Sequence, residues 1–312
     1  MPLPIIDFGS FLAGTDKTTV ARQIDRACRD NGFFYLKNHG LSRNTIDACF
    51  NAAAEFFALP EAKKAEIAIE KSPCHRGWYR LYEEILDPKA TPKGDYKEGL
   101  KIGNDCGPDH PRVKAGLALH GPNQWPNIVG WQDIMQATYD ECAHLSRQLM
   151  RAFALALALE EDFFDKWLHD PMATLSPIYY PPTTSQMGAG THTDFGCLTL
   201  LIQKEIGGLS VFDQKKGWIE APPIADCIIV NIGDMLARWT NETYRSTRHK
   251  VMNKSDKPRQ SIAYFFDPDP DALIAALPSC IAQDQPVQYA PITGLDYLLE
   301  KINESFVHRS HQ

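Results

Sequence analysis

A mixed α+β chain with a mainly β core is predicted, on three observations. Residues 176–268 break into short β-rich runs (197–202, 209–212, 227–232 and 261–266) separated by Gly, Pro and Asn. That is the pattern of an antiparallel barrel or jelly roll. Upstream, residues 131–159 place Ile134, Met135, Thr138, Cys142, Leu145, Leu149 and Phe153 on one helical stripe, which needs a sheet to pack against. No internal repeat or low-complexity segment suggests another architecture.

The remaining elements follow in order. Residues 18–31 read as a helix with Val20, Ile24, Ala27 and Cys28 on one face. Residues 33–37 read as a strand between Gly32 and Gly40. Ser42 caps a second helix, with Ile46, Cys49, Phe50, Ala53 and Phe57 inward. Residues 72–107 are irregular and rich in Pro, Gly and charge. Their aromatics, Trp78, Tyr79, Tyr82 and Tyr96, suggest a functional loop rather than a linker. Residues 293–306 form a C-terminal helix that packs back on the body. The expected organisation is a helical/strand cap (1–125), a long supporting helix (126–170), the jelly-roll core (171–270) and a C-terminal helical segment (271–312).

Composition narrows the function. Of the 312 residues, 44% are hydrophobic, enough for a sizeable core, and 23% are charged. A net charge of −7 without a basic block argues against nucleic acid. The eight cysteines include no Cys-x-x-Cys pair, so they read as reduced thiols of a cytoplasmic protein, not a disulfide frame or zinc site. No signal peptide is expected at the N-terminus. The most apolar helical stretch, 153–159, is too short to span a bilayer, so no membrane role is expected. A monomer or weak homo-oligomer is expected.

The chemistry concentrates in Thr191-His192-Thr193-Asp194-Phe195-Gly196 and, far downstream, His249. On an extended strand His192 and Asp194 point the same way and can reach one ion. Two imidazoles and a carboxylate on one face of a metal are the ligand set of non-haem Fe(II) oxygenases, leaving positions open for a co-substrate and O2. Zinc would accept the same ligands, but a hydrolase would need a further general base that is not evident. Arg259-Gln260-Ser261 opens a later strand. A guanidinium fork with a hydroxyl two residues on can clamp a carboxylate.

Taken together with Pro4-Ile5-Ile6-Asp7, the run Gly32 to Gly40, Tyr179-Tyr180-Pro181-Pro182, Gly207-Gly208-Leu209 and Val230-Asn231-Ile232-Gly233-Asp234, these motifs resemble the 2-oxoglutarate- and Fe(II)-dependent oxygenase superfamily. The branch is that of isopenicillin N synthase, and the chain reads as a bacterial member. The resemblance implies a distorted double-stranded β-helix (jelly roll) flanked by helices. It implies Fe(II) held by His192, Asp194 and His249, and 2-oxoglutarate held by Arg259, Ser261 and Tyr180. A small-molecule substrate would be hydroxylated or desaturated with release of succinate and CO2. An oxidase of the isopenicillin N synthase kind, needing no 2-oxoglutarate, is the alternative; a non-catalytic binding protein on this scaffold is opposed by the intact triad and clamp. The runs 112–116, 120–122 and 125–127 are similar to the ethylene-forming enzyme, which fragments 2-oxoglutarate, and Glu84 falls where it would pair with a guanidinium. Phe195 replaces the tyrosine expected in that case. Ile178 stands where plant members carry Asn.

Residues 74–101 are expected to form a lid that selects substrate. Trp78, Tyr79, Glu84, Phe195 and Phe266 are the candidate pocket residues. Arg76, Arg80, Lys97 and Lys101 beside the aromatics suit a small acid or amino acid with an apolar part. His39 reads as a turn residue and Asp234 as capping a turn or short helix; His75 and His120 sit on loops, either solvated or lining the pocket.

Overall fold

The structure, a computed structural model, describes residues 3–183, 185–284 and 286–306. Its strands are β1 (Ile5–Asp7), β2 (Phe33–Lys37), β3 (Gly77–Tyr79), β4 (Glu98–Gly103), β5 (Thr174–Tyr180), β6 (Ala189–His192), β7 (Leu198–Gln203), β8 (Leu209–Asp213), β9 (Gly217–Glu220), β10 (Cys227–Ile232), β11 (His249–Val251), β12 (Arg259–Phe266), β13 (Leu273–Ile274) and β14 (Ile292–Thr293). A major sheet of eight strands runs β1-β2-β10-β7-β12-β5-β4-β3, and a minor sheet runs β6-β11-β8-β9. Only β1 and β2 pair in parallel within the major sheet.

Alternation along the strands sorts side chains into two layers. Leu198, Leu200 and Ile202 of β7, Ile228, Val230 and Ile232 of β10, and Ile262, Tyr264 and Phe266 of β12 all join the large core shared with the helices. The opposite face turns Ile178, Tyr180, Ile229 and Ala263 toward Ala189, Leu209, Val211 and Val251 of the minor sheet. The interior between the two sheets is therefore a second, smaller apolar layer, and it holds the site.

Helix Trp131–Ala156 backs the major sheet and packs against helices Lys17–Asp30 and Arg43–Phe57. The Asp16 side chain accepts from Thr19 N at 3.0 Å and Ser42 Oγ from Thr45 N at 3.4 Å, closing the two N-termini. Such caps contribute about 1 kcal/mol each. Helix Gly294–Ser305 closes the chain, capped by Thr293. Among the described residues no helix is long and apolar enough to cross a membrane.

The segment read as irregular differs most. Within 72–107, β3 and β4 extend the major sheet beyond β5. Their apolar alternation is hidden because the polar residues are buried in pairs. Lys64 Nζ lies 2.7 Å from Glu98, and Trp78 Nε1 donates to the same carboxylate at 2.7 Å. The N-terminal region thus does more than cap the core, since β1 to β4 make half of its larger sheet.

Candidate active site

β6 ends on His192 and β11 begins on His249, and these two residues are direct antiparallel partners. Their rings sit 4.2 Å apart. Asp194 follows in the turn after β6, its Oδ1 at 3.6 Å from His192 Nε2 and 3.5 Å from His249 Nε2. One ligand atom from each of the three lies within 4.8 Å of the others, the only such convergence of His, Cys, Asp or Glu among the described residues.

The outer atoms of all three are already engaged. His192 Nδ1 meets Gly190 O at 2.7 Å and His249 Nδ1 meets Thr247 O at 3.1 Å. A carbonyl only accepts, so each Nδ1 carries the proton and each Nε2 presents a lone pair to the centre. Asp194 Oδ2 accepts from Thr199 Oγ1 at 2.6 Å and from Asn231 Nδ2 at 2.7 Å, leaving Oδ1 for the centre. Burial and the neighbouring His249 push the His192 imidazole down to about 3, so it is neutral. Burial opposes ionisation of Asp194, but His249, His192 and Asn231 overcome it and hold the carboxyl well below its usual range. Burial likewise opposes charge on His249, but Asp194 outweighs it and raises this imidazole. Two neutral nitrogens and a carboxylate oxygen, once His249 has shed any proton, are the donor set that Fe(II) accepts.

The turn beyond Asp194 is held tightly. Asp234, at the start of helix Asp234–Trp239, donates its N–H to Asp194 O at 2.8 Å and accepts from Thr193 Oγ1 at 3.0 Å. A Cβ on Gly233 would lie 2.2 Å from Gly196 O, and one on Gly196 would lie 1.7 Å from Asp267 Oδ1, so both positions require glycine.

Arg259 opens β12 opposite Tyr180 of β5. It is completely buried, with Nη2 donating to Gln203 Oε1 at 3.0 Å and Nη1 to Ser261 Oγ at 3.2 Å. Nε has no partner, and the guanidinium lies 4.6 Å from the Tyr180 ring centre. Burial lowers its pKa, offset only by Tyr180. Burying a guanidinium without a carboxylate costs several kcal/mol, so this arrangement is suited to an incoming anion. Arg259, Tyr180 and the triad line one cavity between the sheets. Ser261 stands behind them, fixing the orientation of Arg259.

A family model described as non-haem dioxygenase in morphine synthesis N-terminal matches residues 3–128, and one for the 2OG-Fe(II) oxygenase superfamily matches residues 173–268. The chain belongs to that superfamily. The oxygenase is 36% identical to the 2-oxoglutarate-Fe(II) type oxidoreductase hxnY of Emericella nidulans, over 97% of this chain and 90% of the relative. It is 33% identical to a full-length Neurospora crassa protein solved in complex with alpha-KG and thymine, with a TM-score of 0.84 over 97% and 96% of the two chains. A putative 2OG-Fe(II) oxygenase family protein from Caulobacter crescentus is 30% identical, with a TM-score of 0.86 over 97% and 98%. Like its superfamily, this oxygenase is an oxidoreductase that uses Fe(II), 2-oxoglutarate and O2 on small molecules.

Of the candidate pocket residues, Tyr79, Glu84 and Phe195 line the cavity. Trp78 does not: it faces the opposite side of β3, against Lys64 and Glu98. Phe266 does not either. It points into the helical core, and its neighbour Phe265 takes the cavity face. Glu84 is no free partner for a guanidinium, because Lys97 Nζ lies 2.9 Å from it. Residues 74–101 do approach the triad: β3, the start of β4 and the chain between them put buried charge on the cavity wall. His75 is buried on the cavity wall, and Arg76, Lys97 and Lys101 line it as well. His120 is half-buried, with Nδ1 at 2.9 Å from Ala118 O.

Sequence reading missed Thr199, Asn231 and Gln203. Thr199 and Asn231 are polar residues inside apolar runs and Gln203 ends one, each at the parity that faces the cavity. Asn231→Ala is expected to weaken Fe(II) binding by roughly 10- to 100-fold by freeing the Asp194 carboxylate to rotate. An anaerobic Fe(II) titration of wild type and variant checks this.

Proposed function

We propose that His192, Asp194 and His249 hold the Fe(II), that Arg259 takes the far carboxylate of 2-oxoglutarate with Tyr180 and Ser261 beside it, and that a small molecule enters the same cavity to be hydroxylated or desaturated. One observation carries the reading: the cavity that contains the converging triad also contains a fully buried guanidinium with no carboxylate partner.

When bound, Fe(II) would activate O2, the oxidant, and 2-oxoglutarate would give up two electrons and leave as succinate and CO2. The chain's own residues orient and enclose. Nδ1 bonds hold both imidazoles, and Thr199 and Asn231 hold the carboxylate. Ser261 and Gln203 hold the Arg259 fork in one plane, which suits two-pronged recognition. Ile178, Leu201, Leu209 and Val251 make the wall apolar and exclude water from the reacting centre. Eight free cysteines suit a reducing, cytoplasmic setting.

The test is turnover of 2-oxoglutarate by anaerobically Fe(II)-loaded protein after O2 is admitted. Succinate should form, faster when the substrate is present. An oxidase like isopenicillin N synthase would consume O2 and leave 2-oxoglutarate intact, and that outcome would refute the assignment of Arg259.

A further inference from the structure

Arg259 is not the only buried guanidinium in the cavity lacking a carboxylate. Arg76, 5% exposed, lines the same cavity just before β3. Its Nη2 donates to Leu119 O at 2.9 Å, its Nη1 only reaches His75 O at 3.5 Å, and its Nε has no partner. The Arg76 guanidinium packs directly over Gly103 of β4, two residues beyond Lys101 and so on the same face of that strand. The Lys101 ammonium lies 3.9 Å from Glu84, beyond hydrogen-bond range, under the ring faces of Tyr79, Phe265 and Phe306 at 5.5, 5.0 and 5.7 Å. Burial lowers it; Glu84 and Asp194 offset this in part, while Lys97 and Arg76 add repulsion.

The carboxylates here are already taken. Lys97 Nζ sits 2.9 Å from Glu84 and 2.6 Å from Asp95. Glu84 and Asp95 are thus both engaged by Lys97, Asp194 is committed to the metal position, and among the described residues neither Arg76 nor Lys101 has a carboxylate within hydrogen-bond range. Two like charges held together in a buried site are costly unless an anion joins them.

This position differs from the Arg259 position. Arg259 and Phe265 lie six residues apart on β12, about 20 Å at the rise of an extended strand, and Lys101 lies against Phe265. Phe265 is in register with Thr199, which bonds Asp194, so the second cationic position adjoins the triad.

We propose that Arg76 and Lys101 seat a carboxylate of the oxidised substrate, so that the oxygenase acts on small carboxylic acids with an apolar body. Tyr79, Phe195 and Phe265 receive that body. Cationic substrates are disfavoured by the charges of Arg76 and Lys101 at this position. The inference rests on the reading that 2-oxoglutarate occupies Arg259.

Calorimetry on the anaerobic Fe(II)-loaded protein, saturated with 2-oxoglutarate so that acids cannot occupy Arg259, tests it. The probes are hexanoate, benzoate and phenylacetate, their amides, and phenethylamine. At least one acid should bind about tenfold or more tighter than its amide and than the amine. Arg76→Gln and, separately, Lys101→Gln should each remove most of that preference, while 2-oxoglutarate affinity changes less than about twofold. Lys101→Gln keeps the test open if loss of the Arg76 bond to Leu119 disturbs folding. Equal binding of acid and amide, no binding of any acid, or a preference that survives both variants would overturn the seat. Failure of wild type to bind 2-oxoglutarate would instead overturn the proposed function beneath it.

Discussion

His249→Ala is expected to leave the protein without iron at stoichiometric Fe(II) and without measurable 2-oxoglutarate turnover. Two ligands remain, and the open face they leave is no longer ordered. The loss should exceed the roughly 10- to 100-fold effect typical of removing an outer hydrogen bond to a ligand. The loss also has an electrostatic side. Asp194 is buried, and His249 is the foremost of the neighbours that keep it ionised. Without that imidazole, protonation competes with metal binding at Asp194. Iron analysis of anaerobically reconstituted protein, alongside succinate formation, gives the result. Full iron occupancy with full turnover would remove His249 from the site.

Arg259→Ala should weaken 2-oxoglutarate binding by roughly 10- to 150-fold, the equivalent of about 1.5–3 kcal/mol for a charge-assisted hydrogen bond. Arg259→Lys should still weaken it. An ammonium keeps the charge, but it cannot donate to Gln203, Ser261 and a carboxylate from one rigid plane. Iron affinity in the absence of 2-oxoglutarate should not follow, because Arg259 contacts none of the three ligands. An unchanged 2-oxoglutarate affinity in Arg259→Ala would mean that the co-substrate binds elsewhere or is not used.

These residues were legible because their chemistry is written locally. His192 and Asp194 are two apart on extended chain, and Arg259 and Ser261 likewise. The same parity extended along β12 reaches Ala263 and Phe265, so the strand period alone could have replaced Phe266 with Phe265 in the pocket. Trp78 and Tyr79 were harder. Which of two adjacent aromatics faces the cavity depends on how β3 pairs with β4, and β4 alternates only at Leu100 and Ile102, because Glu98 takes the remaining core-facing position. The burial of Glu98 and Lys101 is tolerated only because Lys64, Trp78 and the cavity cluster surround them. Those partners come from distant parts of the chain. For the same reason the sequence offers Arg76, Lys97 and Lys101 as charges suited to a small acid but gives no sign that the fold buries them beside the triad.

The central claim is that one cavity holds the iron at His192, Asp194 and His249 and anchors 2-oxoglutarate at Arg259. A crystal structure with Fe(II) and 2-oxoglutarate, grown anaerobically, tests it most directly. The metal is predicted at both Nε2 atoms and the Asp194 carboxylate, with the far carboxylate of 2-oxoglutarate on the Arg259 guanidinium and Arg76 left for substrate. Finding that carboxylate on Arg76 and Lys101, with Arg259 still unpaired, would contradict the account.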